Sequence, residues 1–179
     1  MSRIQRYLIV LLFCCITMGL FIYARIIKLP MNDTSYTLPS MKEKADWIMS
    51  VATGWGTPQT GLEMKELIIW KTKVVAEVAD TENKRMIGEM YRWDMKKNDA
   101  MIFIFDQEQE LWFWMQNTFI GLDLLYVGSD GEIKHIHNNA KPLDTTSLPS
   151  TTPVKYVIEV RDDFIENFGI KVWDKVEGI

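Results

Sequence analysis

The chain has little cysteine and little histidine, two residue types on which many catalytic and metal sites depend. It contains 2 of each among 179 residues. Cys14 and Cys15 both lie in an N-terminal apolar run, so the rest of the chain can form neither an internal disulfide bond nor a thiol active site. A Ser-His-Asp triad would have to use His135 or His137, and no Gly-x-Ser-x-Gly motif is present. Thiol chemistry is therefore excluded, and hydrolase chemistry has little support.

Acidic residues are absent from the first 30 positions. All 24 of them follow position 30, whereas 4 of the 20 basic residues precede it, so the remainder carries a formal charge of 16 − 24 = −8. The negative charge of the residues after position 30 argues against binding to nucleic acid and against docking on anionic lipid. The glycines also show no spacing that would cradle a phosphate group.

The N-terminal apolar run, from Tyr7 to Ala24, predicts a membrane-spanning helix. Arg3 and Arg6 precede this charge-free run, and Arg25 and Lys28 follow it. A helix of this length extends about 27 Å, close to the roughly 30 Å hydrocarbon core of a bilayer. A cleaved signal peptide is the alternative, but the run ends without the small-x-small pattern of a cleavage site.

These features predict a single-pass protein of the inner (cytoplasmic) membrane. Residues 1–6 would be cytoplasmic, residues 7–27 would form the anchor, and the C-terminal body would be exported to the periplasm. Residues 28–65 form a linker, in which Ser40-x-x-Glu43 predicts the start of a short helix over 41–52. Residues 66–179 form the folded domain.

The folded domain shows the short, β-branched runs that are typical of strands. Thr81 is a candidate N-cap of a short helix, and Gly169 ends a second one. The pattern predicts a mainly β fold with two or three short helices (α+β), built as a small closed or partly open β-barrel. Predicted strands cover residues 67–70, 73–79, 100–105, 111–115, 122–127, 132–138, 154–160 and 170–176.

A candidate ligand site lies where an aromatic strand meets a polar corner. Trp114 ends the aromatic run, and Asn117 and Thr118 follow it directly. Polar groups at the rim of an apolar core are common in binding pockets, so these residues could bind a ligand. Asn also satisfies the backbone of tight turns, which makes a purely structural corner the simpler interpretation. Trp112 and Trp114 share one strand face, which we expect to be core, with a stacking surface as the alternative.

Asp123 stands among apolar residues on the next predicted strand. If the carboxylate is buried it needs a partner, and we expect Arg92 or Arg85. Such a pair would act as a structural clamp or would hold an anionic ligand.

His135 and His137 lie two positions apart on a predicted strand and therefore point to one side. This is metal-ligand spacing, but a catalytic zinc usually needs three protein ligands. We therefore expect no metal, and a half-exposed strand face instead. The loop over residues 139–153 is long for a small domain and could cover the Trp114–Asn117 corner.

Short sequence blocks in this order resemble those of the domain of unknown function 192 family, also called the UPF0127 group. The blocks are Glu77-Val78-Ala79-Asp80-Thr81, Arg85-x-x-Gly88-x-Met90-x-Arg92, Met101-Ile102-Phe103, Phe113-Trp114-Met115-x-Asn117-Thr118, Leu122-Asp123, Asp130-Gly131, His137-x-Asn139-Ala140-x-Pro142, Pro149-Ser150 and Tyr156-Val157-Ile158-Glu159. The resemblance runs from about residue 74 to residue 176.

This resemblance implies a small β-rich barrel, often exported or membrane-anchored, with no settled biochemical activity. The chain departs from the family pattern at three positions. Gln116 stands where a lysine is usual, Gly121 where a proline is usual, and Leu143 where many members have a cysteine. The first departure weakens any role for a fixed cation beside Asn117, and the last rules out a thiol mechanism.

Together these observations predict a membrane-anchored binding module without a cofactor, which recognises a small ligand or an envelope partner. The candidate site residues are Trp114, Asn117, Thr118, Asp123, Arg92 and His137. Two alternatives remain open. An envelope enzyme would use Asp123 and His137 as acid and base. A purely structural partner protein would have its Trp114–Asn117 corner packed shut.

Overall fold

Residues 56–179 are the part of the chain that the computed structural model describes. The predicted membrane helix over 7–27 and the predicted linker helix over 41–52 lie outside these residues, so both stay predictions. Between residues 56 and 179, no helix has the length and apolar character needed to cross a bilayer.

The described residues form short strands and two short helices, which confirms the predicted mainly β fold. Residues 57–179 make up one compact unit. The elements are β1 (Met64–Ile69), β2 (Thr72–Ala79), α1 (Glu82–Ile87), β3 (Asp99–Gln109), β4 (Trp112–Phe113), β5 (Leu122–Val127), β6 (Ile133–Ala140), β7 (Leu148–Pro149), β8 (Val154–Arg161), α2 (Phe164–Phe168) and β9 (Val176–Glu177).

Seven strands form the main sheet, in the order β6-β5-β8-β3-β2-β1-β9. The β2–β3 pair is parallel and the other pairs are antiparallel. A parallel pair needs a crossover connection, and α1 lies in the crossover between β2 and β3. The remaining strands, β4 and β7, form a separate two-stranded sheet.

The main sheet curls so that its outer strands meet at one end. The Ile133 N–H donates to the Asp174 carbonyl (3.0 Å), and the Trp173 N–H donates to the Ile133 carbonyl (2.8 Å). The result is a half-barrel, in agreement with the partly open form of the predicted barrel. The strand predicted over 170–176 is wrong for most of its length, because residues 173–175 bond to the start of β6 and only β9 pairs with β1.

Apolar side chains cover both faces of the sheet. Alternate residues of β3 show the division, since Ile102 belongs to one layer and Met101 and Phe103 belong to the other. The first layer includes Phe164 of α2. The second layer lies below β4, and a charged residue of β8, Glu159, is buried on that same face of the sheet. A cleft opens above this second layer.

Candidate functional site

The cleft has a volume of about 610 Å³ and lies between α1 and the segment that carries β4. Half of its lining residues have apolar or aromatic side chains, among them Met86, Phe103 and Trp114. Four of the polar lining residues are glutamates, including Glu89 and Glu159. Concave sites of this size, with an apolar wall and a few polar groups, are typical of small-molecule binding.

Helix α1 forms one wall because its two ends are fixed. At its start the Thr81 hydroxyl accepts a hydrogen bond from the Lys84 N–H (3.3 Å), as the sequence predicts for an N-cap. At its end Gly88 has a φ of 49°, and a Cβ there would lie 3.2 Å from the Phe103 ring. Glycine therefore allows both the turn and the close approach of the helix to the cleft floor.

The opposite wall carries two exposed tryptophans, Trp112 (66 % exposed) and Trp114 (53 % exposed). The prediction that this pair belongs to the core is wrong. Since β4 pairs only with β7, its pleat points Phe113 inward and Trp112 outward, and Trp114, directly after β4, is exposed as well. The Phe113 ring packs edge-on against Phe103, with 4.9 Å between centroids. Both tryptophans are therefore exposed side chains at the cleft, and the stacking surface that the sequence offered as the alternative stays a prediction.

The loop over residues 139–153 does not act as a detached cover. Its backbone is bonded to the aromatic segment along its length, through Asp144 to Met115 (2.8 Å) and Ser150 to Leu111 (2.8 Å). The buried Tyr126 hydroxyl also donates to the Leu148 carbonyl (2.7 Å). The loop therefore braces the wall that holds Trp112 and Trp114.

Glu159 lies on the cleft floor and is 4 % exposed. In the sheet register it stands between Met101 on β3 and Leu124 on β5. Burial, and to a lesser extent the nearby Glu89, raises the pKa of Glu159 well above its ordinary value, against the opposing effect of Arg92. Burial therefore favours the neutral form of the Glu159 carboxyl.

Arg92 lies behind the floor and holds two carboxylates. Its Nη1 pairs with Glu77, its Nε lies 2.9 Å from Glu89 Oε2, and its Nη2 donates to the Gln59 carbonyl (3.3 Å). Burial opposes the charge of Arg92, but Glu89 and Glu77 outweigh burial and raise its pKa. The candidate residue Arg92 therefore orders the floor of the cleft rather than lining it.

Asn117 forms the predicted corner. Its φ of 55° is left-handed, its side-chain amide donates to the Tyr91 hydroxyl (3.0 Å), and its carbonyl accepts from the Tyr91 N–H (2.7 Å). The neighbouring Thr118 is buried, lines the cleft and bonds through its carbonyl to Leu143 (3.0 Å). Asn117 therefore has the structural role of a turn residue in the corner, whereas Thr118 lines the cleft.

The prediction of an arginine partner for Asp123 is wrong. The buried Asp123 carboxylate accepts hydrogen bonds from the backbone N–H groups of Asn139 (2.7 Å) and Ile165 (3.0 Å). Burial raises the pKa of Asp123, although both hydrogen bonds oppose that shift. Asp123 therefore ties α2 to the sheet, and Arg85 instead donates to the Ile104 carbonyl (2.7 Å).

The acid–base pair of Asp123 with His137 is also excluded by geometry. His137 pairs with Leu124 and so lies on the cleft-side layer, while Asp123, one residue away on β5, points to the α2 side. His135 shares the His137 face, as predicted, and burial lowers its pKa. Within residues 56–179, no three His, Cys, Asp or Glu side chains are grouped so that they could hold a metal ion.

A family model decides the classification. The model of DUF192, described as an uncharacterized ACR, matches residues 65–178, which is more than half of the 179 residues. The chain belongs to the DUF192 family. This confirms the resemblance seen in the sequence blocks. No curated protein matches the chain significantly.

The DUF192 domain is also similar to two solved structures. A protein from Sinorhizobium meliloti 1021, described as a candidate transcription regulator, is 31% identical, with a TM-score of 0.64 over 67% of this chain and 97% of that one. A protein of unknown function from Novosphingobium aromaticivorans DSM 12444 is 35% identical, with a TM-score of 0.64 over 67% of this chain and 89% of that one.

The cleft floor of this DUF192 domain was missed from the sequence. Glu159 alternates with apolar residues on β8, and it was not among the candidate site residues. The sequence held one signal for Glu159, its place in the Tyr156-Val157-Ile158-Glu159 block of the family resemblance. Of the three departures from the family pattern, Gln116 lines the cleft and Leu143 is exposed.

Proposed function

We propose that this protein is a membrane-anchored envelope protein whose DUF192 domain binds a small ligand in the cleft between α1 and β4. The observation that carries the proposal is the joining of exposed tryptophans at the cleft rim to a buried carboxyl group at its floor. An apolar wall with few polar groups gives affinity and orientation to a small molecule.

Each side of the cleft has a separate role in this proposal. Trp112 and Trp114 provide flat apolar contact, and Thr118 and Glu159 provide polar contact. Arg92 fixes Glu89 beside the floor. Asn117 and His137 lie outside the lining residues, so in the proposal Asn117 only shapes the corner and His137 takes no part.

The open cleft favours a binding role over a purely structural one, for which the corner would be packed shut. The solved relative from Sinorhizobium meliloti 1021 carries a description as a candidate transcription regulator. The charge of −8 after position 30 (16 − 24) disfavours direct contact with nucleic acid for this chain.

Loss of Trp114 is expected to weaken retention of the ligand. The full chain, in mild detergent, is equilibrated with a small-molecule extract of the envelope, and bound compounds are identified by mass spectrometry. Because a buried aromatic contact contributes about 1–3 kcal/mol, Trp114→Ala should retain at least about tenfold less than the parent protein. Trp173→Ala is the matched control, since Trp173 is 67 % exposed and outside the cleft lining. Equal retention by both variants would contradict a site in this cleft.

The membrane anchor gives a second test. Protease added to intact spheroplasts should digest the folded domain, because the proposed topology places residues 28–179 outside the inner membrane. The same digestion after lysis provides the total signal. A domain protected until lysis would reverse the proposed orientation, and recovery of the domain in the soluble fraction would remove the anchor.

A further inference from the structure

The Glu159 carboxyl makes no hydrogen bond to another residue of the described range 56–179. The residue is 4 % exposed, and its electrostatic interactions are with Glu89, Arg92 and Tyr126. A carboxyl group in such a confined place gains from a hydrogen-bonding or charged partner. Because Glu159 lines the cleft, a bound ligand can supply such a partner.

The charge of the cleft narrows the class of ligand. Its lining contains four glutamates and one arginine, and with Glu159 neutral the formal balance is 1 − 3 = −2. The arginine, Arg85, already lies over the Phe105 ring at 4.7 Å and donates to backbone carbonyls. Anionic ligands are therefore disfavoured, and cations are attracted. The glutamates are Glu82, Glu89, Glu110 and Glu159.

The aromatic wall of the cleft narrows the class of ligand further. Five aromatic residues line the cleft beside these carboxyl groups. Aromatic faces attract cations, most strongly when the cation is an alkylated ammonium ion that loses little hydration. The five residues are Phe103, Phe105, Trp112, Phe113 and Trp114.

We propose that the cleft binds an organic ammonium ion, with its charge facing Glu159 on the floor and its alkyl groups covered by Trp112 and Trp114. This inference rests on the proposed function of the cleft as a ligand site. Binding is coupled to a proton: the neutral carboxyl of Glu159 gives its proton to the solvent, and the carboxylate that remains faces the cation.

The groups around Glu159 support the coupling of cation binding to proton release. Glu89 and Arg92 face it from the segment after α1, and Arg92 is already engaged by Glu77 and Glu89. The adjacent β3 and β5 strands place the non-ionising Met101 and Leu124 beside it. Burial and, to a lesser extent, the charge of Glu159 raise the pKa of Tyr126 on β5, so this hydroxyl stays neutral. His137 of β6 follows beyond Leu124 in the same cross-strand row.

Choline is the probe, and 3,3-dimethyl-1-butanol, its uncharged counterpart of the same shape, is the control. Isothermal titration of the full chain in mild detergent should show choline binding at least about tenfold more tightly than the alcohol. Because cation binding releases the Glu159 proton, choline affinity should increase as pH rises, up to the pKa of Glu159. The released proton should also be detected as a difference between the heats of binding measured in two buffers of different ionisation enthalpy.

Glu159→Gln keeps the shape of the side chain but cannot ionise. This variant should bind choline at least about tenfold more weakly and should lose the pH dependence, while Glu66→Gln, a remote exposed carboxyl, should match the parent protein. Trp114→Ala should weaken choline binding without removing the proton release.

Three results would overturn the proposal. Choline and the alcohol could bind equally, choline binding could be independent of pH, or choline could fail to bind. If one of these results occurs while the extract experiment still yields an uncharged compound that depends on Trp114, the cation is wrong and the ligand site stands. If that experiment also yields nothing, both proposals fail.

Discussion

Replacing Arg92 with methionine is expected to lower the free energy of unfolding by about 3–5 kcal/mol, the usual cost of removing one member of a buried ion pair. The Arg92 side chain is 18 % exposed and the Glu89 side chain 1 % exposed, so the carboxylate left behind cannot be hydrated. Glu77 loses the same cation. Thermal unfolding of the full chain in detergent should show a midpoint lower by roughly 10–20 °C.

The control for this substitution is an exposed ion pair. Lys73 pairs with Glu66 at 2.6 Å, but both side chains are mostly in water. Lys73→Met should therefore change the unfolding midpoint little, because exposed pairs are screened and contribute little. If both variants unfold at the same temperature, the buried cluster does not hold the floor of the cleft in the way described.

A double variant separates charge from packing. Adding Glu89→Gln to Arg92→Met removes the buried carboxylate that has lost its cation, so part of the lost stability should return. The deficit of Arg92→Met alone should also shrink as pH falls, because protonation removes the uncompensated negative charge. A double variant less stable than either single variant would show that Arg92 acts through packing of its aliphatic stem instead.

The sequence predicts the fold of the domain well because the signals involved are local. The Thr81 cap depends on one hydroxyl and one N–H three residues away. The turn between β5 and β6, which holds the Asp130-Gly131 block, depends on a left-handed glycine, and Gly131 has a φ of 79°. The end of the chain was predicted poorly because residues 173–175 bond to the start of β6, about 40 residues earlier, and no local pattern encodes that closure.

The candidate site was only partly predictable, since its parts are brought together by the crossover connection. Trp114 and Thr118 were found from one sequence block, and both line the cleft. Glu89 and Glu159 lie 70 positions apart in sequence, and only the packing of the segment after α1 against β8 brings them together. Burial of tryptophan was the wrong expectation because a two-residue strand on a small second sheet leaves one face uncovered.

The partner of Asp123 was mispredicted for a related reason. An isolated buried carboxylate suggests an arginine, but backbone N–H groups at a helix start satisfy it equally well. Helix α2 has Asp163 at its N-cap, and this side chain makes no capping hydrogen bond. Asp123, 42 residues earlier, accepts from the Ile165 N–H in its place.

Asp123→Ala is therefore expected to destabilise the domain by about 2–4 kcal/mol, because two backbone N–H groups lose a charged acceptor and at least the Ile165 N–H is left buried without one. Asp123→Asn should recover only part of the loss, because its amide oxygen can accept from one N–H while its NH₂ group faces the other. Chemical denaturation of the full chain in detergent measures both free energies.

Asp163→Asn provides the matched comparison at the same helix. Asp163 occupies the N-cap with a φ of 73°, which asparagine tolerates, and its side chain caps nothing. This variant should unfold like the parent protein. If Asp163→Asn is instead the more damaging change, α2 is held by its own cap, and the carboxylate of β5 does not anchor it. If Asp123→Ala leaves stability unchanged, the two short hydrogen bonds to Asp123 carry no net stabilisation.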